Sequence, residues 1–348
     1  MTIPMNAKTI DVPADAEAAR AAAAQFNDVH QRIRVQLGKT IVGQDEVVEG
    51  VLTALLAGGH VLLEGVPGLG KTMLVRSLAT AVDLHFSRIQ FTPDMMPADI
   101  QGTMMLVENA SGGHELTFQA GPVVANLVLA DEINRATPKT QSALLEAMQE
   151  GQVTVGKRSL RLPDPYCVMA TQNPVEQEGT YPLPEAQLDR FLLKLIVGYP
   201  REEDYRAIAE RTTGTRTIET AAVSNAEEIS RMRQIVRAVP VPELALTYAI
   251  RLVMGTQPNG PYSCAAVNEL VALGSSPRGM QALLLAAKVK ALLDHRYAVS
   301  IEDVRAVALP VLRHRIVINF QAQSAGVSSD EVVKKVLASV KAPHGTDR

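Results

Sequence analysis

Gly65-Val66-Pro67-Gly68-Leu69-Gly70-Lys71-Thr72, running straight into Met73, is the stretch that decides the fold. It fits G-x-x-x-x-G-K-T, a phosphate-binding loop. Its glycines remove side chains, so backbone N–H groups can curl around the β- and γ-phosphates of a nucleotide. Lys71 adds positive charge there, and Thr72 offers a hydroxyl to Mg²⁺. His60-Val61-Leu62-Leu63-Glu64 before the loop reads as a short buried strand. Met73-Leu74-Val75-Arg76-Ser77-Leu78-Ala79 after it reads as a helix, whose N-terminus favours an anion. A chance glycine turn has no reason to sit between those two elements.

About 60 residues on, Asn126-Leu127-Val128-Leu129-Ala130-Asp131-Glu132 is an apolar run ending in two carboxylates. So short a run, bounded by charge, suits a fully buried parallel strand. In open α/β sheets the C-terminal ends of such strands face the ligand. Asp131 is then placed to hold hydrated Mg²⁺, and Glu132 to polarise the attacking water as general base. An acidic strand end is ordinary by itself; its pairing with the phosphate loop gives it meaning.

At 348 residues the chain has room for two domains and a large core. Hydrophobic residues make up 47% and charged residues 20%, which is typical of soluble globular proteins. A net charge of −3 advertises neither nucleic acid nor an anionic membrane. The absence of Trp, with only 7 Tyr and 6 Phe, argues against an aromatic platform for single strands. Cys167 and Cys264 make no disulfide framework or metal site, and Cys167, inside an apolar strand, reads as core. The seven histidines lack ligand spacing. Without a signal peptide or an apolar run of about 18 residues, a cytoplasmic location without membrane insertion is the expectation.

Residues 1–14 read as unstructured. Residues 15–37 read as an Ala-rich helix with Asp15 at its N-cap, an accessory helix packed on the core rather than a partner-binding arm. From 38 to 198 strand and helix alternate, which predicts a parallel sheet. Its strands fall at 60–64, 86–91, 126–130, 166–170 and 191–197. Thr137-Pro138 starts a helix that Gly151 ends. Two hairpins interrupt the alternation. The first pairs 103–107 with 115–118 across 109–113. The second pairs 152–155 with 158–162 across Gly156-Lys157, where Gly suits a type II′ turn and sets Val155 opposite Arg158 and Val153 opposite Leu160. Residues 199–341 read as an all-helical domain with helices near 202–211, 225–238, 242–256, 264–273, 277–295, 300–314 and 329–341. Ser276-Pro277 is a second N-cap and N1 pair, and Ser300 with Asp303 forms a capping box. Residues 342–348 read as a frayed tail.

Val168-Met169-Ala170-Thr171-Gln172-Asn173-Pro174 is another apolar strand with a polar end, next to that of Asp131 and Glu132. Asn173 can reach a γ-phosphate or the attacking water, or simply end a strand before a Pro turn. Arg190, in Leu188-Asp189-Arg190-Phe191, can neutralise transition-state charge or make a surface ion pair with Asp189 or Glu185.

Taken in order, several motifs carry a specific resemblance. They are Ile41-Val42-Gly43-Gln44, the loop 65–72, Gln90-Phe91-Thr92-Pro93-Asp94, Asp131-Glu132-Ile133-Asn134-Arg135-Ala136, Ala170-Thr171-Gln172-Asn173-Pro174, Leu188-Asp189-Arg190-Phe191 and Gly274-Ser275-Ser276-Pro277-Arg278. The chain resembles MoxR-family members of the AAA+ ATPases, in their helix-2-insert group. The resemblance implies an α/β P-loop core with a parallel sheet and two inserted hairpins, followed by an all-α lid. It makes Asn173 the first sensor, Arg190 an arginine finger reaching a neighbouring subunit, and Arg278 the second sensor, acting in cis or on a neighbour. Val42, Gly43 and Gln44 resemble the adenine-side segment. The hairpin near 103–118 matches the helix-2 insert, and that at 152–162 the hairpin before the first sensor. The family implies ATP and Mg²⁺, a homo-oligomeric ring, commonly hexameric, and chaperone-like remodelling of a protein client. It also implies a partner with a von Willebrand factor A domain on a separate chain, since no D-x-S-x-S motif occurs here.

Other functions fit parts of the pattern. A nucleic-acid motor draws weak support from Lys157, Arg158 and Arg161 on the second hairpin, which suit a solvated face better. A metal-chelatase motor shares the same plan. A nucleotide-gated scaffold that hydrolyses little conflicts with an intact Glu132.

Overall fold

The computed structural model describes residues 13, 15–108, 114–156, 158–174, 179–214 and 219–343. The expected extension over residues 1–12 and 14, the 109–113 turn, Lys157 and the tail from 344 lie outside them. The chain divides into two units. One is Ile33–Ala226, and the other joins the described residues up to Arg32 to those from Glu227 onward.

In the first unit the strands are β1 Val61–Glu64, β2 Phe86–Gln90, β3 Gly102–Glu108, β4 His114–Ala120, β5 Leu127–Asp131, β6 Gln152–Val155, β7 Arg158–Arg161, β8 Cys167–Gln172 and β9 Leu193–Ile196. Five of them form one parallel sheet in the order β2-β5-β8-β1-β9, built from the five runs that the sequence marks as strands. Central β5 is buried at all five positions and β8 at five of six. Such continuous apolar runs are what a strand covered on both faces requires. Edge strand β2 instead alternates, with Ile89 buried between exposed Arg88 and Gln90. The period of two sends those polar side chains to one face.

The helices of this unit are numbered with α1 Ala16–Thr40 first, although that helix crosses the division at Arg32. They continue with α2 Asp45–Ala57, α3 Lys71–Ala81, α4 Pro97–Gln101, α5 Pro138–Glu150, α6 Glu185–Leu188 and α7 Glu202–Thr212. On α1, Phe26, Val29, Ile33 and Leu37 are fully buried at helical spacing, so this helix packs as an accessory element. Asp15 Oδ1 accepts from the N–H groups of Glu17 and Ala18 at 3.0 and 2.8 Å, the expected N-cap. Pro138 is the first residue of α5, and Gly151 ends it at φ +61°.

Both hairpins form. β3 and β4 pair antiparallel from Gly102↔Ala120 to Glu108↔His114. β6 and β7 pair with Val153 opposite Leu160 and Val155 opposite Arg158. Gly156 has φ +61°, the conformation its place in the turn demands. Of that apolar pair Val153 is buried while Leu160 is exposed.

Helix α7, read from sequence as the start of the second domain, packs within the α/β unit. Its Arg211 Nη1 donates to the carbonyls of Gly38 and Lys39, both at 2.9 Å. Its buried Asp204 seats its carboxyl against Gly43, where any Cβ would come within 2.1 Å of Cγ.

The second unit contains α8 Ala226–Ala238, α9 Glu243–Gly255, α10 Ala265–Leu270, α11 Pro277–Leu293, α12 Ile301–Leu312, α13 Phe320–Ser324 and α14 Ser329–Ser339. Ser276 caps α11, accepting from the Arg278 N–H at 3.1 Å, and Ser300 with Asp303 forms the capping box on α12. One expectation is corrected. The helix read over 264–273 stops at Leu270, and β10 Val271–Leu273 pairs antiparallel with β11 Val317–Ile318. β-branched Val271 fits the strand, and pairing with the distant β11 overrides local helix propensity. The lid is therefore helical but carries a two-stranded ribbon. Among the described residues no single helix is long and apolar enough to cross a membrane.

Candidate active site

At the C-terminal ends of β1, β5 and β8, a cavity of about 370 Å³ is lined by Pro67, Gly68, Leu69, Gly70, Lys71, Thr72, Met73, Arg88, Asp131, Glu132, Thr171 and Asn173. Residues far apart in sequence meet here because parallel strands all end on one side. The loop after β1 turns through Gly68 at φ +84° and Gly70 at φ +77°, both open to space where a side chain would stand. That backbone is left-handed, which glycine adopts without cost, and Gly70 leads into α3. Lys71 Nζ bridges the carbonyls of Gly65 and Val66, the latter at 3.0 Å. Burial pushes its ammonium below the usual lysine range, against the pull of Asp131 and Glu132.

Asp131 and Glu132 are held by different partners. Thr171 hydroxyl donates to Asp131 Oδ1 at 2.6 Å and accepts from the Glu132 N–H at 2.8 Å. Arg88 Nε and Nη2 both donate to Asp131 Oδ2, at 3.1 and 2.6 Å. Glu132 Oε2 accepts from Gln90 Nε2 at 2.9 Å and lies 3.1 Å from Arg135 Nε. Glu132 has φ +56°, a left-handed backbone that costs a non-glycine residue about 1 kcal/mol or more and is typical of functional positions. Gln90 pairs with Asp131 in register, so one row of neighbouring side chains carries this network.

The sequence-read residues divide by place. Lys71, Thr72, Asp131, Glu132 and Asn173 share the cavity with the glycine loop. Val42, Gly43 and Gln44 lie beside it, with Gln44 Nε2 donating to the Leu69 carbonyl at 3.0 Å. Arg190 is elsewhere in the unit. Its Nη1 donates to the Leu145 carbonyl, and it lines a second cavity of about 270 Å³ with Ser142, Glu146 and Gln187. Arg278 sits in the first turn of α11, in the other unit. Arg88 and Thr171 were missed. Neither carries a local signal, because strand pairing alone brings Arg88 and Thr171 to the acids.

Comparison with known proteins identifies the family of the chain. The model of the ATPase family associated with various cellular activities (AAA) matches residues 60–193, and that of the AAA lid domain matches residues 265–336. The chain is 44% identical over 318 residues to Chaperone MoxR1 of Mycobacterium tuberculosis, covering 91% of this chain and 83% of that one. It is 32% identical over 338 residues to Protein MoxR of Methylorubrum extorquens, covering 91% and 96%. The crystal structure of a Cytophaga hutchinsonii protein described as an ATPase aligns with a TM-score of 0.87 at 37% identity, over 94% of this chain and 99% of that one. Relatives at these identities span nearly the whole length of both partners, and the protein belongs to the MoxR family of AAA ATPases.

Proposed function

We propose that this protein hydrolyses ATP as a subunit of a homo-oligomeric ring and uses the cycle to remodel a protein client, in the manner of a chaperone. The convergence of Lys71, Thr72, Asp131, Glu132 and Asn173 on one cavity carries the enzymatic part. The donor set fits Mg²⁺, since Thr72 and Asp131 are hard oxygen ligands beside the phosphate loop. Those two residues would hold the ion, which supplies charge neutralisation to the β- and γ-phosphates. Backbone N–H groups of the loop and Lys71 bind and orient the phosphates. Glu132 takes the proton of the attacking water, its carboxylate aimed by Gln90 and Arg135. Asn173 orients that water or the terminal phosphate.

A ring is supported by the location of Arg190. It lines a different cavity of the same unit, so a transition-state arginine would come from a neighbour. A protein client is supported by hairpin β3–β4, where Leu106 is 63% exposed and Leu116, its cross-strand partner, 55%. Met105 and Val107 are exposed there as well. An apolar hairpin suits unfolded polypeptide better than phosphate. The relative's name, Chaperone MoxR1, points the same way. Family resemblance adds a von Willebrand factor A-domain protein on a separate chain as partner.

The test is ATPase rate per subunit against protein concentration, with oligomer mass followed by mass photometry at each point. The rate should rise as larger species form. Mixtures of Arg190→Ala and Glu132→Gln subunits should regain part of the turnover that each lacks. A constant rate from a monomer, or no recovery at any ratio, would sink the shared site.

A further inference from the structure

Arg88 stands out among the charges lining the cavity. It lies on edge strand β2, whose alternation turns Arg88 and Gln90 to the face that Asp131 occupies on β5. An arginine on an edge strand usually makes a weak, solvated pair. This one does not. Two of its nitrogens converge on a single oxygen, Oδ2 of Asp131, while Thr171 holds Oδ1. Asp131 has a side chain only 12% exposed, so its carboxylate depends on these donors rather than on water. Arg88 is 45% exposed and thus has solvent to move into. The Nη2 that grips Asp131 also donates to Gln90 Oε1, and Gln90 Nε2 donates to Glu132. One guanidinium therefore touches the proposed metal carboxylate directly and the proposed base through one amide.

We infer that Arg88 is a resident cation that competes with Mg²⁺ for Asp131, so that metal capture with nucleotide requires Arg88 to release that carboxylate. The inference rests on the nucleotide-site reading given above. Two positive charges cannot share one carboxylate oxygen without repulsion, so each weakens the other's hold. Arg88 is a positioning residue in this scheme. It keeps Asp131 aimed into the cavity and sets how much free energy the metal contributes to nucleotide binding.

The experiment measures the affinity of a fluorescent, non-hydrolysable ATP analogue, mant-AMP-PNP, in excess EDTA and in excess Mg²⁺. The ratio of the two affinities is the magnesium enhancement. Arg88→Gln should raise that enhancement by about tenfold over wild type, because the opposing charge is gone. Arg88→Lys, which keeps the charge, should stay near wild type. In an Asp131→Asn background the same Arg88→Gln change should have no effect, as a double-mutant cycle requires when the two residues act through each other. Thermal unfolding of each variant checks that the fold is kept, and Arg88→Met, which keeps the stem without the charge, carries the test with the same expected rise if Arg88→Gln fails to fold. An enhancement in Arg88→Gln equal to or below wild type would overturn the inference and leave the nucleotide site standing. No binding by wild type in either condition would remove both.

Discussion

Asp131 and Asp303 are built alike and placed differently. Each is an aspartate with its side chain at most 12% exposed, gripped by an arginine through two hydrogen bonds and touched by a hydroxyl. Asp303 takes Arg296 at 2.6 and 2.7 Å, the Ser300 hydroxyl at 2.9 Å and the Ser300 N–H at 2.8 Å. Its acceptors are directed at the start of one helix and at the arginine beside it. Asp131 takes Arg88 and Thr171, yet it also lines a cavity with a lysine and a phosphate loop. In the lid, the charge pair completes the α12 capping box. In the α/β unit, the pair leaves a carboxylate on the wall of a cavity. The same chemistry caps a helix in one place and, in the proposed function, serves binding in the other, and the difference lies in what surrounds the carboxylate.

Chemistry should separate the two sites most widely. Glu132→Gln keeps the shape and the hydrogen bond from Gln90 but removes the base. ATP turnover should fall about a thousandfold, while affinity for the non-hydrolysable analogue stays within about threefold. Asp303→Asn should leave the turnover per folded subunit nearly unchanged. Steady-state hydrolysis with an equilibrium binding measurement checks both, and a Glu132→Gln protein that still turns over at near wild-type rate would end the assignment of the base.

Stability should show the reverse order. Asp303→Asn leaves the Arg296 guanidinium with the exposed Asp294 as its charged partner and weakens the capping box. Because Arg296 is 40% exposed, the cost is about 2 kcal/mol rather than the 3–5 kcal/mol of a fully buried pair. Asp131→Asn also loses a pair, but Arg88 at 45% exposed can turn to water, so it should cost less. The sign with pH is fixed by Asp303. Burial raises its carboxyl, but Arg296 and Ser300 together outweigh this and hold it below the usual aspartate range. Its contribution is therefore complete above an unfolded value of about 3.9 and disappears as pH falls through the lower folded value. Denaturant melts of wild type and Asp303→Asn should differ at neutral pH and converge in acid. A gap that stays constant into acid would mean that Asp303 stabilises through packing alone.

Much of this contrast was legible before any coordinates. The phosphate loop, the two acids and Asn173 could be read because their motifs sit at strand ends, where a parallel sheet gathers them. Both helix starts with Ser-Pro and Ser-x-x-Asp could be read because capping is local. Arg88 could not, since its partner Asp131 lies 43 residues away and only the register of β2 on β5 brings them together. The packing of α7 with the α/β unit escaped for a similar reason. Its anchors, Asp204 at Gly43 and Arg211 at Gly38, join segments of the chain that no local pattern connects. The ribbon Val271–Leu273 was hidden because its three residues look like a helix tail until their distant partner strand is known.

The smallest expected effect tests whether lid capping is as local as its sequence signature. Ser276 accepts from the Arg278 N–H at the start of α11, and Pro277 already fixes the first helical φ. Ser276→Ala removes one acceptor from a helix of 17 residues whose apolar face is otherwise buried. The cost should be about 1 kcal/mol, the usual loss at an N-cap, and Ser276→Asp should restore it. Equilibrium denaturation reads both. A cost well beyond that of Asp303→Asn would show that the turn before α11 holds the lid together through more than its cap. In that case the Ser276–Pro277 turn would carry both stability and the placement of Arg278, and the separation of roles seen between Asp303 and Asp131 would not extend to it.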